Sequence, residues 1–120
     1  MGINKSVIFT GWRTDSKDLI SVCDVYILPT LHEGFPNSLL DALSVGIPCL
    51  GSRISELEEV LHYDELLFSL NSYEELVRKM KELAANALYR LNVRELSNKR
   101  AKVFLFNWDE AVVNAVTHPI

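Results

Sequence analysis

The sequence predicts an α/β domain built on a parallel sheet, and three features of the chain support that prediction. Short apolar runs rich in strand formers recur at residues 7–10, 24–28, 48–51 and 66–69. Helical patterns separate these runs, and such alternation is typical of a parallel sheet with crossover helices. The length of 120 residues suits one compact core. We therefore expect a single domain over residues 1–120, with a partial doubly wound, Rossmann-like sheet of about four strands and helices on both faces.

The first helix and the second strand are predicted from local start and stop residues. Asp15 or Ser16 can cap a short helix that extends to about residue 22. The apolar run DVYIL at residues 24–28 then ends at Pro29, which favours a buried strand.

The second helix has the strongest signals in the chain. Pro36 has the backbone angle favoured at a first helical turn, and Gly46 followed by Pro48 is a stop signal. The body of the helix between these residues is almost wholly apolar, so we expect this helix to be largely buried. Ser55 can cap a further helical turn through Leu61.

A surface helix is predicted from Ser72 onward. Ser72 and Glu75 have the spacing of a capping box, in which each side chain bonds the other's backbone amide. Its predicted apolar face comprises Leu76, Val77, Met80 and Leu83. Basic residues on this helix are expected to form a solvated face: Arg78, Lys79 and Lys81.

Two further helices are predicted near the end of the chain, at residues 93–106 and 108–116, with a break around Asn107. Phe104 and Trp108 are expected to pack back on the sheet.

Composition excludes several classes of function. Hydrophobic residues make up 48% and charged residues 23% of the chain, which predicts a folded protein. A net charge of −4 gives no broad basic field, so we expect no nucleic-acid partner. No apolar run reaches transmembrane length and no signal-peptide pattern occurs, which favours a cytoplasmic protein. Cys23 and Cys49 lie in apolar segments without metal-site spacing, so both are expected to be buried thiols.

The segment HEGFPNSLLDALSVGIPCL, residues 32–50, contains a candidate ligand site. If a helix begins at Pro36, its free amides form a positive tip that suits a phosphate group. Glu33 precedes this tip, and Asp41 follows one turn into the helix on the face of Ser38. The predicted tip residues are Asn37, Ser38 and Leu39.

The two carboxylates favour a sugar nucleotide over a simple phosphate ligand. A carboxylate repels phosphate but accepts two hydrogen bonds at once, which matches the vicinal hydroxyls of a ribose or a hexose. A diphosphate on the helix tip with a sugar at each carboxylate is therefore a coherent site at the carboxyl ends of parallel strands.

The residue types alone also allow structural roles. Glu33 and Asp41 can be solvated carboxylates, Gly34 a turn residue that needs a positive φ, and Phe35 an apolar contact that fixes the helix entry. His32 lacks a triad-like partner in the sequence, so we do not assign it a catalytic role.

The stretch EGFPNSLLDA resembles retaining group 1 (glycogen-synthase-like) glycosyltransferases of the GT-B fold, whose C-terminal domain carries two carboxylates separated by seven residues in an EGFxxxxxEA context. The resemblance covers about residues 7–70, including FTGW, DVYILPT and GIPCLGS. It implies the second half of a GT-B C-terminal domain and transfer of a hexose from a UDP- or GDP-sugar, without a cofactor or metal.

Site residues carried over from the resemblance fall into three groups. Glu33 contacts the donor sugar, and Asp41 contacts the ribose. Asp41 is shorter by about 1.5 Å than the Glu usual in the family. Residues 12 and 13 lie in the region that lines the nucleobase in similar enzymes, here Trp12 and Arg13. The diphosphate is held by Gly34, Phe35, Asn37, Ser38 and Leu39.

The resemblance also implies parts that are not seen in this sequence. The family's basic diphosphate loop and its N-terminal acceptor-binding domain have no counterpart before residue 7. We therefore expect a fragment truncated at its N-terminal side, inactive alone, whose exposed sheet edge could support a dimer. The alternative is a non-catalytic binding or interaction module with a degenerate nucleotide site.

Overall fold

The computed structural model describes the backbone of residues 4–34 and 36–117, and the side chains of residues 5–34 and 36–104. Its centre is a parallel sheet in the order β1-β2-β3, formed by Tyr26–Leu28, Cys49–Ser52 and Leu67–Phe68. The helices are α1 Ser16–Ser21, α2 Asn37–Val45, α3 Ser55–Leu61, α4 Tyr73–Ala85 and α5 Ala87–Thr117, with short 3-10 turns at Asn4–Ser6 and Asp64–Leu66.

Helices α2 and α3 cover one face of the sheet. Tyr26 pairs in register with Cys49, and side chains two residues apart on a strand share a face, so Gly51 faces the same side. Helix α2 lies on this face because Ser38 contacts the Tyr26 hydroxyl. Helix α3 lies there too, since a Cβ on Gly51 would be only 2.8 Å from Leu61.

The opposite face packs toward α4. Ile27, whose side chain alternates with that of Tyr26, lines a groove together with Met80 and Leu83 of α4. Helix α5 connects the amino ends of the strands with the helices on both faces of the sheet. Its Ser97 Oγ accepts a hydrogen bond from Cys49 N at 3.1 Å. Arg100 donates to the carbonyl of Val60 at the end of α3. The fold is thus α/β with helices on both faces, as the sequence predicts.

The core lies between these layers. Its fully buried members are mostly leucines from α2, α3 and the strands, together with Phe68. At about 25 cal/mol per Å² of apolar surface removed from water, this burial is the main source of stability. The largest of these side chains are Phe68, Leu39, Leu43, Leu50, Leu57, Leu61, Leu66 and Leu67.

One predicted strand is wrong. Residues 7–10 form neither strand nor helix, and Ile8 and Phe9 are 84% and 95% exposed. In a doubly wound sheet of order 3-2-1-4-5-6, strands 4, 5 and 6 are neighbours and form one half, and β1, β2 and β3 of this chain have that arrangement. The strand that comes before these three in sequence is strand 3, which lies at the far edge of the other half. Among the described residues no strand lies beside this run to pair with its amides, so the sheet has three strands rather than about four.

The two predicted C-terminal helices are one continuous helix, α5, over Ala87–Thr117. Neither Gly nor Pro occurs in this range, and Asn107 in a helix interior costs at most about 0.7 kcal/mol relative to alanine, too little to cause a break. Phe104 packs against the core as predicted, whereas the side chain of Trp108 lies outside the described residues.

Helix α4 begins after Ser72, as predicted, but without a capping box. The Ser72 side chain makes no cap hydrogen bond, and Glu75 instead accepts from Ser69 N at 3.1 Å. Lys79, expected on the solvated face, is buried at 7% exposure, and its Nζ donates to the carbonyls of Asp64 and Glu65.

The apolar face of α4 is correspondingly narrower than predicted. Leu76 and Leu83 pack inward with Lys79 between them, at helical spacings of three and four residues. Val77 and Met80 are 39% and 46% exposed.

The prediction for the cysteines holds for only one of them. Cys49 is fully buried in β2, and burial raises the pKa of its thiol to about 12. Cys23 is exposed, because it follows the end of α1 in a loop at the edge of the sheet.

Candidate functional site

The N-terminus of α2 lies at the carboxyl edge of the sheet, directly after the loop that follows β1. Pro36 is the N-cap and Asn37 the first helical residue, one position later than predicted. The first bond that reaches back to the cap runs from Leu40 N to Pro36 O at 3.1 Å. The amides of Asn37, Ser38 and Leu39 precede that bond and are the orphan donors of the helix tip.

No side chain in the described part of the chain caps this tip. Proline has no side-chain oxygen, and no cap hydrogen bond from a side chain occurs at α2. Leu39, Ala42 and Leu43 are buried and fix the helix against the sheet. The tip therefore presents a positive end in a fixed orientation, a suitable place for an anion.

The loop between β1 and α2 is held by Ser52, the last residue of β2. The fully buried Ser52 hydroxyl accepts a hydrogen bond from Thr30 N at 3.0 Å and donates to the Thr30 carbonyl. Thr30 in turn bonds the backbone of His32 through its own hydroxyl. These contacts fix the chain immediately before Glu33.

Tyr26 connects β1 to the helix tip. Its hydroxyl is hydrogen-bonded to Ser38 Oγ at 2.5 Å. Burial is the largest influence on the Tyr26 phenol and raises its pKa, the bond to Ser38 lowers it, and the negative charges of Glu33 and Asp41 raise it further. Glu33 and Asp41 thus both act electrostatically on the phenol that contacts the helix tip.

Glu33 and Asp41 are partly buried, whereas Asn37 and Ser38 are exposed. Leu39 can offer only its amide, because its side chain is fully buried in the core.

Gly34 is exposed in the loop before the tip. It does not have a positive φ, and a Cβ there would meet nothing within 4 Å, so the structure gives no turn-strain reason for glycine. Phe35 lies outside the described residues.

Trp12 and Arg13 lie in the exposed loop before α1. Trp12 is 88% exposed, and Arg13 forms a two-pronged ion pair with Asp15 at 2.6 Å. Hydrogen bonding to Asp15 raises the pKa of Arg13, and the same bond lowers the pKa of Asp15. The charge of Arg13 is therefore balanced within its own loop.

Other charged groups at this edge are paired with one another. Arg53 is 2.8 Å from Asp64 and 3.7 Å from Glu75, so its charge is balanced by these two carboxylates. His32, with a side chain 96% exposed, lies 3.9 Å from Glu56, a long contact that gives no catalytic geometry.

A groove of about 1000 Å³ opens at the amino ends of the strands, away from the α2 tip. It is lined by the C-terminal end of α2, by α4 and by the start of α5, including Gly46, Met80 and Arg90. In open α/β sheets, ligands bind outside the carboxyl ends of the strands. We therefore place the candidate site at the α2 tip despite the size of this groove.

Within the described residues, no group of three or more His, Cys, Asp or Glu side chains could hold a metal ion. None of the helices in that part of the chain combines the length and apolar character that crossing a membrane requires.

Two contributors to the site were missed in the sequence. Tyr26 was interpreted only as part of a strand and Ser52 lay one residue beyond a predicted strand end. The alternation of side chains along β1 could have placed Tyr26 on the face of α2. No local pattern indicates the contact between Ser52 and Thr30, which are 22 residues apart.

Comparison with known proteins identifies the family. The family described as "Glycosyl transferases group 1" matches residues 1–86. The Escherichia coli UDP-Gal:alpha-D-GlcNAc-diphosphoundecaprenol alpha-1,3-galactosyltransferase is 28% identical over 101 residues, which cover 82% of the chain and 26% of that enzyme. The serotype-specific mannosyltransferase WbdA of Escherichia coli is 36% identical over 112 residues, 89% of the chain and 13% of WbdA.

A third relative comes from Campylobacter jejuni. Its N,N'-diacetylbacillosaminyl-diphospho-undecaprenol alpha-1,3-N-acetylgalactosaminyltransferase is 29% identical over 110 residues, 90% of the chain and 28% of that enzyme. The chain thus spans between 13% and 28% of the length of these three relatives. Because the family match covers well over half of its residues, the chain belongs to the group 1 glycosyltransferases.

Proposed function

We propose that the chain is the nucleotide-sugar-binding part of a retaining glycosyltransferase that transfers a hexose from a UDP- or GDP-sugar to an acceptor. The observation that supports this most is the tip of α2, which has no side-chain cap in the described structure. Glu33 lies in the loop before this tip and Asp41 lies one turn into the helix, and the charges of both raise the pKa of the Tyr26 phenol, whose hydroxyl contacts Ser38.

The diphosphate of the donor would bind the amides of Asn37, Ser38 and Leu39. The chain has a net charge of −4, so its overall field does not attract an anion and local groups must bind the diphosphate. The amide donors and the helix dipole would do so, and they would also stabilise the charge that develops on the departing diphosphate. On this account the reaction needs no metal and no cofactor.

The carboxylates would bind hydroxyl groups on the two sides of the diphosphate. Glu33 would hold the donor sugar in position rather than act as a general base. Asp41, deeper along α2, would accept hydrogen bonds from the ribose. Because Asp is about 1.5 Å shorter than Glu, this contact is the weaker of the two. Trp12 and Arg13 would line the nucleobase only after their loop changes position or Arg13 leaves Asp15.

The remaining parts of the enzyme would come from outside the described residues. The three relatives are about four to eight times longer than the matched stretch. An acceptor-binding domain in the cytoplasm would close over the α2 tip and exclude water. Without it, the chain of residues 1–120 should bind UDP or GDP weakly and transfer no sugar. Turnover by the purified chain at the rate of a complete enzyme would contradict this proposal.

A second candidate is a non-catalytic interaction module that pairs with another chain, for example as a dimer. The observation that favours it is the apolar run before α1, where Val7, Ile8 and Phe9 are 44% to 95% exposed. The outer edge of β1 also has no neighbouring strand among the described residues. A sheet edge of this kind can add a strand from a partner. Sizing at several concentrations tests whether the chain self-associates.

The decisive variant is Glu33→Ala in the longer enzyme that carries this chain. Loss of the contact to the donor sugar should lower kcat/KM by more than about 2 kcal/mol of transition-state stabilisation, roughly 30-fold. Glu95→Ala removes an exposed carboxylate of α5 and serves as the matched control. Unchanged kinetics in Glu33→Ala would favour the interaction module.

A further inference from the structure

Tyr26 is the one described side chain that reaches from the sheet to a polar group of the α2 tip. It starts β1, is partly buried, and its hydroxyl meets Ser38 Oγ in the first turn of α2. Ser38 is itself exposed. The Tyr26 phenol therefore contacts Ser38 Oγ from the side of the sheet, and the solvent-facing side of Ser38 is open to a ligand.

The Tyr26 hydroxyl carries its proton at physiological pH, because even an unshifted phenol has a pKa of about 10. Burial raises the pKa of the phenol above its usual value, and the charges of Glu33 and Asp41 raise it as well, which outweighs the lowering effect of Ser38. A phenol with a raised pKa is neutral at physiological pH and retains its proton for donation.

We propose that Tyr26 is a positioning residue for the anion site: it donates its proton to Ser38 Oγ, so that the single Ser38 proton is directed at a phosphate oxygen of the ligand. This inference rests on the proposed function. A serine hydroxyl carries one proton and two lone pairs. If Ser38 donated to Tyr26, it would present lone pairs to the phosphate and repel it. With Tyr26 as donor, Ser38 joins the tip amides as a further donor to the anion.

A double-mutant cycle with UDP and GDP as probes tests this role. The affinities of wild type, Tyr26→Phe, Ser38→Ala and the double variant are measured by NMR titration of the chain, together with the melting temperature of each. Loss of one neutral hydrogen bond predicts about a 3- to 10-fold weaker affinity for Tyr26→Phe. The double variant should be no weaker than Ser38→Ala, because Tyr26 acts only through Ser38. Tyr89→Phe, a partly buried tyrosine of α5, is the matched control.

The outcomes separate this inference from the proposed function. A Tyr26→Phe variant that melts lower but binds both nucleotides like wild type would show a purely structural bond and overturn the inference. Additive losses in the double variant would overturn it too. If Glu33→Ala loses affinity for a UDP-sugar while Tyr26→Phe does not lose affinity for UDP or GDP, only the proposed function survives. Wild type without any nucleotide binding would overturn both.

Discussion

Replacement of Ser52 by alanine tests how the site loop is held. Ser52 is fully buried and bonds both the amide and the carbonyl of Thr30, at the start of the loop that leads to Glu33. The substitution removes one oxygen and leaves the partly buried Thr30 amide without this acceptor. The fold should survive, because the apolar packing around β2 is unchanged.

The expected loss of folding free energy comes from the unpaired Thr30 amide rather than from the small change in side-chain volume. A buried donor left without an acceptor costs about 1–3 kcal/mol. For a domain of this size, a loss of about 2 kcal/mol lowers the melting temperature by roughly 6–12 °C. Since the same loop carries Glu33, affinity for a UDP- or GDP-sugar should also fall in Ser52→Ala.

The assay is denaturant unfolding of wild type, Ser52→Ala and Ser44→Ala. Ser44 is exposed on α2 and donates to the carbonyl of Asp41 at 2.7 Å, so it matches the chemistry of the change without the burial. Ser44→Ala should stay within about 0.5 kcal/mol of wild type. Equal free energies of unfolding for the two variants would refute the view that Ser52 anchors the loop.

Two further predictions concern groups that burial distinguishes. A thiol reagent at mildly alkaline pH should label Cys23 in the native protein and leave Cys49 unlabelled, because a pKa raised to about 12 leaves Cys49 almost without thiolate. Labelling that Cys23→Ser does not abolish would contradict this burial. Lys79→Ala should lower the free energy of unfolding by about 1–3 kcal/mol, because the packing of the lysine stem and its hydrogen bonds to two carbonyls are lost. Lys81→Ala on the exposed face should stay within about 0.5 kcal/mol of wild type. Equal unfolding curves for the two lysine variants would show that Lys79 is not a buried anchor.

Elements with local start and stop residues could be predicted from the sequence. Helix α3 ends at the predicted Leu61, but Ser55 is its first residue and Ile54, not Ser55, is the N-cap. Helix α2 begins one residue after the predicted Pro36. In both cases the residues that begin or end the helix lie within a few positions of it, so their effect needs no knowledge of the tertiary structure. The same holds for the position of the α2 tip.

The remaining features depend on neighbours that are distant in sequence. Residues 7–10 have strand composition, but a strand forms only where another strand pairs with it. Lys79 looks solvated by composition, yet its place between Leu76 and Leu83 buries it against carbonyls of another segment. The roles of Tyr26 and Ser52 likewise arise from contacts across elements, which helical or strand periodicity does not encode.

The most direct test of the account is the binding position of UDP or GDP on the chain, followed by amide chemical shifts. We expect the largest changes at the amides of Asn37, Ser38 and Leu39, reduced when Pro36→Asp supplies the helix with a capping carboxylate that competes for these donors. Changes centred instead on the groove at the amino ends of the strands, around Met80 and Arg90, or no changes at millimolar nucleotide, would contradict the assignment of the α2 tip as the diphosphate site.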